Sequence, residues 1–264
     1  MTKLTRLLVA FGFTLSAGLG CAAPTPGEDE EPTEDEGDAL TSSPVALPGY
    51  TLVFQDEFTG TTLDRTKWVT YDGPQANAPK FTKFDSKDVA VSNGLLHLKI
   101  EKSGKAIPYT AGGLEVLPKY TYAYGRWVVR ARFPKGKGNV GYVGLFGKTI
   151  TEIDFAEVGS KYPTINTFTQ HSGKEDRQDQ KQWRGDTTVF HEFAVDWEPG
   201  VLHWYVDGKL QYTVPQRFTK EALLLAMGAW VADCKQDWGC PDKDNVYPAS
   251  MDIDYVRIYK KNAK

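Results

Sequence analysis

Short alternating runs of apolar and polar residues recur from about residue 45 to the end of the chain. An alternation of period two indicates half-buried strands, and no window keeps the 3.6-residue period of an amphipathic helix over three turns. Turn-forming residues punctuate the runs. The pattern therefore predicts an all-β domain, with its clearest strands at residues 51–55, 95–100, 126–133, 142–146, 151–158, 193–197, 202–206 and 251–259.

The connections between these strands favour two antiparallel sheets. Asp207-Gly208 stands between two strand patterns and predicts a two-residue hairpin turn. About 215 residues of closely spaced strands, with no internal repeat, are typical of a β-sandwich, and we expect a jelly roll of two curved sheets with a concave groove. Residues 136–141 match the letters G-x-G-x-x-G, but a strand pattern follows where a dinucleotide site requires a helix, so we interpret them as a hairpin loop.

The first 44 residues do not share the strand pattern. Lys3 and Arg6 precede an apolar run over residues 7–20, which is too short to span a bilayer and ends in small residues before Cys21. We therefore predict a signal peptide at residues 1–20 and lipidation of Cys21, with ordinary cleavage near Ala22 as the alternative. Either outcome predicts an exported protein, lipid-anchored at the bacterial cell envelope in the first case and secreted in the second.

Residues 21–44 have the composition of an extended tether. Eight acidic residues and no basic one lie between Glu28 and Asp38, and such a segment has little apolar surface to bury. The whole chain carries a net charge of −3, whereas residues 45–264 hold 29 basic and 26 acidic residues. This near balance argues against a general nucleic-acid binder. We expect residues 45–264 to form one catalytic domain and to be monomeric.

The three cysteines agree with export. If Cys21 is lipidated or removed with the signal peptide, Cys234 and Cys240 remain as a pair in a polar loop. An oxidising compartment favours a disulfide between them. A zinc site would need further ligands, and the four histidines show no ligand spacing.

Three carboxylates occupy six residues of an otherwise apolar strand. Glu152 and Asp154 share a face of a regular strand, whereas Glu157 would point the other way unless one extra residue forms a β-bulge. An exposed polar strand face is the alternative, but it leaves like charges uncompensated. Two carboxylates on one face suit the hydrolysis of a glycosidic bond, and a third can hold their pKa values apart.

Five segments in this order resemble glycoside hydrolase family 16, the laminarinase and β-glucanase family, over residues 50–260. They are F-Q-D-E-F-T-G-T-T-L-D at 54–64, Y-G-R-W at 124–127, E-x-D-x-x-E at 152–157, the pair F-A-V-D-W at 193–197 and Y-V-D-G-K at 205–209, and M-D-I-D-Y-V-R-I-Y at 251–259. The resemblance implies a jelly roll and retaining cleavage of β-linked glucans or galactans.

The resemblance also implies roles for the three carboxylates. Glu152 corresponds to the nucleophile, Asp154 to the assisting carboxylate and Glu157 to the general acid and base. For a retaining enzyme we expect the carboxyl groups of Glu152 and Glu157 to lie about 5–5.5 Å apart. Catalysis is expected to need no cofactor or metal. Some members bind a structural Ca²⁺, for which the sequence offers no placement.

Aromatic side chains are candidates for sugar binding, because a sugar ring stacks its apolar face on an aromatic ring. Trp68, Trp197 and Trp204 lie in motif strands and are predicted to be core. His171 is placed in the groove by the resemblance. The predicted substrate-binding residues are therefore Trp127, Tyr142, Phe146, His171, Trp183, Trp230 and Trp238.

Departures from the family pattern leave the identity of the polysaccharide substrate undetermined. The W-P-x-x-W run is replaced by Y-V-G-L-F at 142–146, the glutamate expected after Y-G-R is Val128, and L-A-M-G-A-W at 225–230 lacks the family's asparagine. We predict an endo-acting glycoside hydrolase on β-1,3- or mixed β-1,3/1,4-glucan. The alternatives are an agar- or carrageenan-type galactan hydrolase, a transglycosylase, or a non-catalytic β-glucan-binding module. A structural surface lipoprotein would leave the clustered carboxylates unexplained.

Overall fold

The computed structural model describes residues 46–148, 151–159, 164–173, 177–218, 220–235 and 238–262. The predicted signal peptide, Cys21 and the acidic tether lie outside the described residues. Within the described ranges, no helix has the length and apolar character needed to cross a membrane. The helices found there are two short 3-10 turns, Ser86–Asp88 and Pro118–Tyr120.

The described residues form eighteen strands. In chain order they are β1 (Tyr50–Asp56), β2 (Trp68–Thr70), β3 (Gly73–Pro74), β4 (Thr82–Phe84), β5 (Val89–Ser92), β6 (Leu95–Lys102), β7 (Tyr109–Ala111), β8 (Gly113–Val116), β9 (Gly125–Arg132), β10 (Asn139–Phe146), β11 (Thr151–Val158), β12 (Ile165–Ser172), β13 (Arg177–Arg184), β14 (His191–Glu198), β15 (Val201–Val206), β16 (Lys209–Pro215), β17 (Leu224–Val231) and β18 (Ala249–Lys261).

These strands make two sheets, which confirms the predicted all-β sandwich. The first sheet has the order β16-β15-β14-β9-β18-β6-β7-β4-β3, and β1 and β5 attach to β18 and β6. The second has the order β13-β12-β11-β10-β17-β8-β2. The paired strands described are antiparallel, apart from β4 and β7. The second sheet contains the candidate site, because β11 carries the three carboxylates.

One of the two predicted hairpins is found, between β15 and β16. Asp207 and Gly208 both have positive φ, 49° and 71°, and place Val206 opposite Lys209. The glycine-rich segment was predicted to be a hairpin loop. Residues 136–138 do precede a strand, but they connect β9 of the first sheet to β10 of the second, so the hairpin prediction is wrong and β10 begins at Asn139. Gly138 is required there, because its φ is +87° and a Cβ would lie 2.3 Å from the backbone nitrogen of Pro241.

The core between the sheets is rich in tryptophan. Trp68, Trp197 and Trp204 are fully buried, as predicted. The assignment of Trp127 to substrate binding is wrong. Its side chain is 1% exposed and its ring stacks on that of Trp197 with centroids 6.1 Å apart, so it faces the sandwich interior where a sugar has no access.

Candidate active site

Strand β11 contains one extra residue relative to both neighbours. On the β10 side, Val143 lies opposite Ala156 and Gly144 opposite Asp154, so two residues on β10 match three on β11. The pairing with β12 shifts within the same stretch, between Asp154 and Val158. The extra residue is Phe155, whose side chain is buried in the core. The predicted β-bulge is therefore confirmed.

The bulge places all three carboxylates on one face. Glu152, Asp154 and Glu157 stand opposite the alternate β10 residues Phe146, Gly144 and Tyr142. Alternate residues of a strand point to the same side of a sheet. We call this side of the second sheet, which points away from the core, the carboxylate face. Asp154 is 2% exposed, whereas Glu152 and Glu157 remain partly exposed and therefore accessible to a substrate.

Small residues make the floor beside Asp154. Gly144 lies directly opposite Asp154, and Ala226 lies opposite Gly144 on the next strand. A Cβ at Gly144 would come within 2.7 Å of Asp154 Oδ1 and would also press on the ring of Phe146. The missing side chain therefore leaves space beside Gly144 for the Asp154 carboxyl and the Phe146 ring.

Tyr142 and Phe146 lie on the carboxylate face, where the sequence predicted them. Their rings meet edge to face, with centroids 6.0 Å apart. The ring of Tyr142 lies over Gly228, where a Cβ would be 2.6 Å from its Cε1. Glycine at 228 thus lets this ring lie close to the sheet beside Glu157.

His171 also reaches the carboxylates, as expected. It is opposite Glu152 on β12, and its Nε2 lies 3.3 Å from Asp154 Oδ2. His171 is the one histidine brought to this site among the residues that the structure describes. It adds a group that is positive when protonated to an otherwise acidic cluster.

Burial and mutual repulsion raise the pKa values of the outer carboxyls. Burial, followed by the charge of Asp154, raises the pKa of Glu157 to about 8, against the opposing effect of His171. Burial and then Asp154 also raise the pKa of Glu152 well above its usual value. Like charges this close in a poorly solvated site cannot all be ionised. The cluster therefore holds a proton near neutral pH.

The predicted disulfide between Cys234 and Cys240 is present, with an S–S distance of 2.06 Å. The loop that it closes presents Trp238 to the end of β11. The Trp238 ring lies against Gly159, where a Cβ would be 2.4 Å from its Cε3. This places a partly exposed aromatic ring two residues beyond Glu157.

Two other tryptophans do not serve as predicted. Trp230 is on the carboxylate face but only 2% exposed, because the ring of Trp238 packs against it with centroids 6.2 Å apart. Trp230 therefore packs under Trp238 and is too buried to stack against a sugar ring. The assignment of Trp183 to substrate binding is wrong, because its ring packs against His191 and Phe193 of the first sheet.

Sequence reasoning missed several residues of the site. Glu115 and Tyr71 extend the carboxylate face beyond Ala226, and the Tyr71 hydroxyl donates to Glu115 Oε2 at 2.8 Å. Asn166 and Trp204 contact the backbone of the bulge itself. The Tyr71 and Trp204 contacts join residues 44 and 50 positions apart, and the Asn166 contact depends on the pairing of β11 with β12, so no local pattern reveals them.

One cluster in the described part of the chain has three acidic or histidine side chains close enough to share a cation. It consists of Glu152, Asp154 and His171, whose candidate ligand atoms lie within 4.8 Å of one another. These residues are the carboxylate cluster already described. No other such group is found among the described residues, so the expectation of a structural Ca²⁺ stays a prediction without a location.

Comparison with known proteins agrees with the fold and the motif. The model of glycosyl hydrolases family 16 matches residues 77–257. The chain is 27% identical to glucan endo-1,3-beta-glucosidase A1 of Niallia circulans over 89% of its own length and 42% of that protein. It is 25% identical to keratan-sulfate endo-1,4-beta-galactosidase of Sphingobacterium multivorum, over 84% of this chain and 58% of the relative. The chain thus spans about half the length of these two relatives.

Among solved structures, the catalytic domain of an endo-1,3-beta-glucanase (laminarinase) from Thermotoga petrophila superimposes with a TM-score of 0.74. The sequences are 22% identical, and the match covers 81% of this chain and 99% of that domain. The chain thus shares the two-sheet sandwich fold of that domain. The family match makes this specific: the chain belongs to glycosyl hydrolases family 16.

We predict that Asp154→Asn lowers the pKa of Glu157 below about 8. The substitution removes a neighbouring negative charge and leaves burial as the main cause of the raised value. The measurement is a pH titration of ¹³C-labelled glutamate carboxyls by NMR. Asp179→Asn is the control, because Asp179 is ion-paired with Arg217 away from the cluster. An equal Glu157 pKa in wild type and Asp154→Asn would contradict the coupling.

Proposed function

We propose that the protein is a retaining, endo-acting glycoside hydrolase that cleaves β-linked glucan. The observation that carries this proposal is the bulge that brings Glu152, Asp154 and Glu157 to one face. The raised pKa of Glu157 supports its role, because a general acid must hold a proton near neutral pH. The partial exposure of Glu152 and Glu157 leaves both within reach of a polymer.

The first step forms a glycosyl-enzyme. A carboxylate oxygen of Glu152 attacks the anomeric carbon while the bond from that carbon to the leaving oxygen breaks. Glu157 gives its proton to the leaving oxygen, so the departing chain end leaves as a neutral alcohol. Glu157 becomes a carboxylate in this step, and Glu152 becomes an ester.

The second step releases the sugar. Glu157, now the base, takes a proton from water as the water oxygen attacks the anomeric carbon, and the bond to Glu152 breaks. Both carboxyls return to their starting states, and the two inversions give net retention. Asp154 shares a proton with Glu152 between turnovers and so compensates for the change in charge on the nucleophile. These steps use carboxyl groups alone, and we propose that catalysis needs no metal.

The aromatic side chains around the carboxylates suit a chain of sugar rings. Tyr142 and Phe146 lie beside the carboxylates, and Trp238 lies at the Glu157 end of β11. The similarity to glucan endo-1,3-beta-glucosidase A1 supports β-1,3-glucan as the substrate. The second relative is named as an endo-1,4-beta-galactosidase, so a galactan remains the second candidate substrate. The chain covers only part of the length of each of these two relatives.

We propose that the protein is exported and anchored through a lipid on Cys21. The basic start, the apolar run over residues 7–20 and the small residues before Cys21 support this location. The acidic segment that follows would then hold the catalytic domain away from the membrane, since like charges keep such a linker extended.

The location predicts a specific effect of Cys21→Ser. Wild-type protein expressed in a bacterial host should incorporate labelled fatty acid and sediment with membranes, whereas the variant should lose both properties. Cys234→Ser serves as the control, because Cys234 is paired with Cys240. Soluble, unlabelled wild-type protein would contradict lipidation and favour cleavage after Cys21.

The activity predicts sugar release from one polymer and its loss in Glu152→Gln. The domain of residues 45–264 is assayed in the presence of a chelator against β-1,3-glucan, mixed-linkage β-glucan, xyloglucan, agarose and carrageenan. We expect short oligosaccharides from β-1,3- or mixed-linkage glucan, and a loss of about 10⁴-fold or more without the nucleophile. Glu198→Gln is the control, because Glu198 lies at the end of β14 and pairs with Lys261.

The other outcomes separate the alternatives. Cleavage of agarose or carrageenan would identify a galactan hydrolase, and products longer than the substrate would identify a transglycosylase. Tight binding without products from any of the five polymers would contradict the proposed hydrolase and favour a binding module. Activity that is lost in chelator and restored by Ca²⁺, with a Tm that chelator leaves unchanged, would contradict metal-free catalysis.

A further inference from the structure

The bulge in β11 breaks the regular hydrogen-bond ladder next to the catalytic carboxylates. An extra residue leaves backbone groups of the bulged strand without their usual partners on the neighbouring strands. A buried N–H or C=O must find another partner, because leaving it unpaired is costly. Two side chains supply these partners, one from the first sheet and one from the neighbouring strand β12.

The first is Trp204, which reaches across the core from β15 of the first sheet. Its indole Nε1–H donates to the backbone oxygen of Asp154 at 2.9 Å. Trp204 is fully buried, and its ring stacks on Tyr212 with centroids 5.3 Å apart and contacts Phe168. A rigid, enclosed ring thus fixes the backbone carbonyl at the start of the bulge.

The second is Asn166 on β12. The backbone N–H of Glu157 donates to its side-chain oxygen Oδ1 at 2.7 Å. Asn166 is also fully buried. The two contacts bracket the bulge, since one holds Asp154, the residue before Phe155, and the other holds Glu157, the second residue after it.

We propose that Trp204 and Asn166 are positioning residues that hold the bulge in β11 and thereby keep Glu157 on the same face as Glu152. Without the extra residue, the alternation of a regular strand would turn Glu157 toward the core. Neither side chain carries out a chemical step. The inference rests on the proposed roles of Glu152 and Glu157.

The titratable groups that face Glu157 come from three strands. They are Glu152 and Asp154 on its own strand, Tyr142 on β10 and His171 on β12. The charge of Asp154 raises the pKa of Glu157, and His171 lowers it. If the bulge relaxes, the Glu157 carboxyl separates from Asp154. Its pKa then departs from about 8, because the charge of Asp154 no longer raises it and its burial, the largest cause of the shift, changes.

Trp204→Phe tests the first contact. The substitution keeps an apolar ring but removes the indole N–H. Trp197→Phe is the matched control, because Trp197 is equally buried in the same sheet and donates through its indole to Gln216 at 3.0 Å. We expect similar losses of Tm in both variants. Only Trp204→Phe should lose about 10- to 100-fold in kcat, because misplacement of an acid by about 1 Å has an effect of this size.

Asn166→Ala tests the second contact and keeps the proposal open to test if Trp204→Phe does not fold. Asn139→Ala is its control, since Asn139 is also buried but bonds to Lys135 and Tyr247 at the other end of β10. We expect Asn166→Ala, and not Asn139→Ala, to lower kcat. We also expect the effects of Trp204→Phe and Asn166→Ala to combine less than additively, because both act on one bulge.

The decisive readout is the pKa of Glu157, followed by NMR of ¹³C-labelled glutamate carboxyls without substrate. Both positioning variants should shift it away from the wild-type value of about 8, and both controls should leave it unchanged. Variants that lose only Tm, with a Glu157 pKa and a pH profile of kcat/KM equal to their controls, would overturn the inference. A wild type that cleaves no polymer would instead overturn the proposed function, whereas the NMR comparison would still be valid.

Discussion

The site depends on one extra residue in a strand. Phe155 shifts the register of β11 against both β10 and β12, and this shift alone brings Glu157 to the face that carries Glu152 and Asp154. Side-chain direction in a strand has a period of two, so a spacing of five residues is compatible with one face only through such an irregularity. The sandwich around β11 supplies what the irregularity requires, namely a buried pocket for Phe155 and hydrogen-bond partners for the freed backbone.

The same arrangement explains the electrostatics. The three carboxyls on the carboxylate face repel each other. Their removal from water adds to the free-energy cost of ionising them. The outer two residues are partly exposed, yet burial of their carboxyl groups is the first cause of their raised pKa values. The raised pKa of Glu157 is therefore a consequence of its position, and it is also the property that a general acid needs. Stability and function pull in opposite directions at this site.

Much of this could be predicted from the sequence, because the relevant signals are local. Alternation predicted the strands, Asp207-Gly208 predicted a hairpin, and the odd spacing of Glu157 predicted the bulge. The aromatic residues were harder, because hydrophobic character does not say which face of a strand a ring occupies. In β9, three successive residues from Trp127 are buried, so the alternation that would separate core from groove is missing.

Other features of the site depend on the three-dimensional register. Trp183 lies in a polar strand, where its position suggested an exposed ring, yet it turns toward the first sheet to meet Phe193. Trp230 has the correct face, but the disulfide-closed loop with Trp238 covers it. The bond from Trp204 to Asp154 joins residues 50 positions apart in different sheets. No local pattern encodes such a contact, since it depends on how the two sheets stack.

The most direct test of the account is to trap its covalent intermediate. A 2-deoxy-2-fluoro glycosyl fluoride of a β-linked glucose disaccharide slows both steps and keeps a good leaving group for the first, so that the glycosyl-enzyme accumulates. Mass spectrometry of the digested protein should then find the sugar on Glu152. A label on another residue, or efficient turnover of polymer with inversion at the anomeric carbon and no label at all, would contradict the roles given to the three carboxylates.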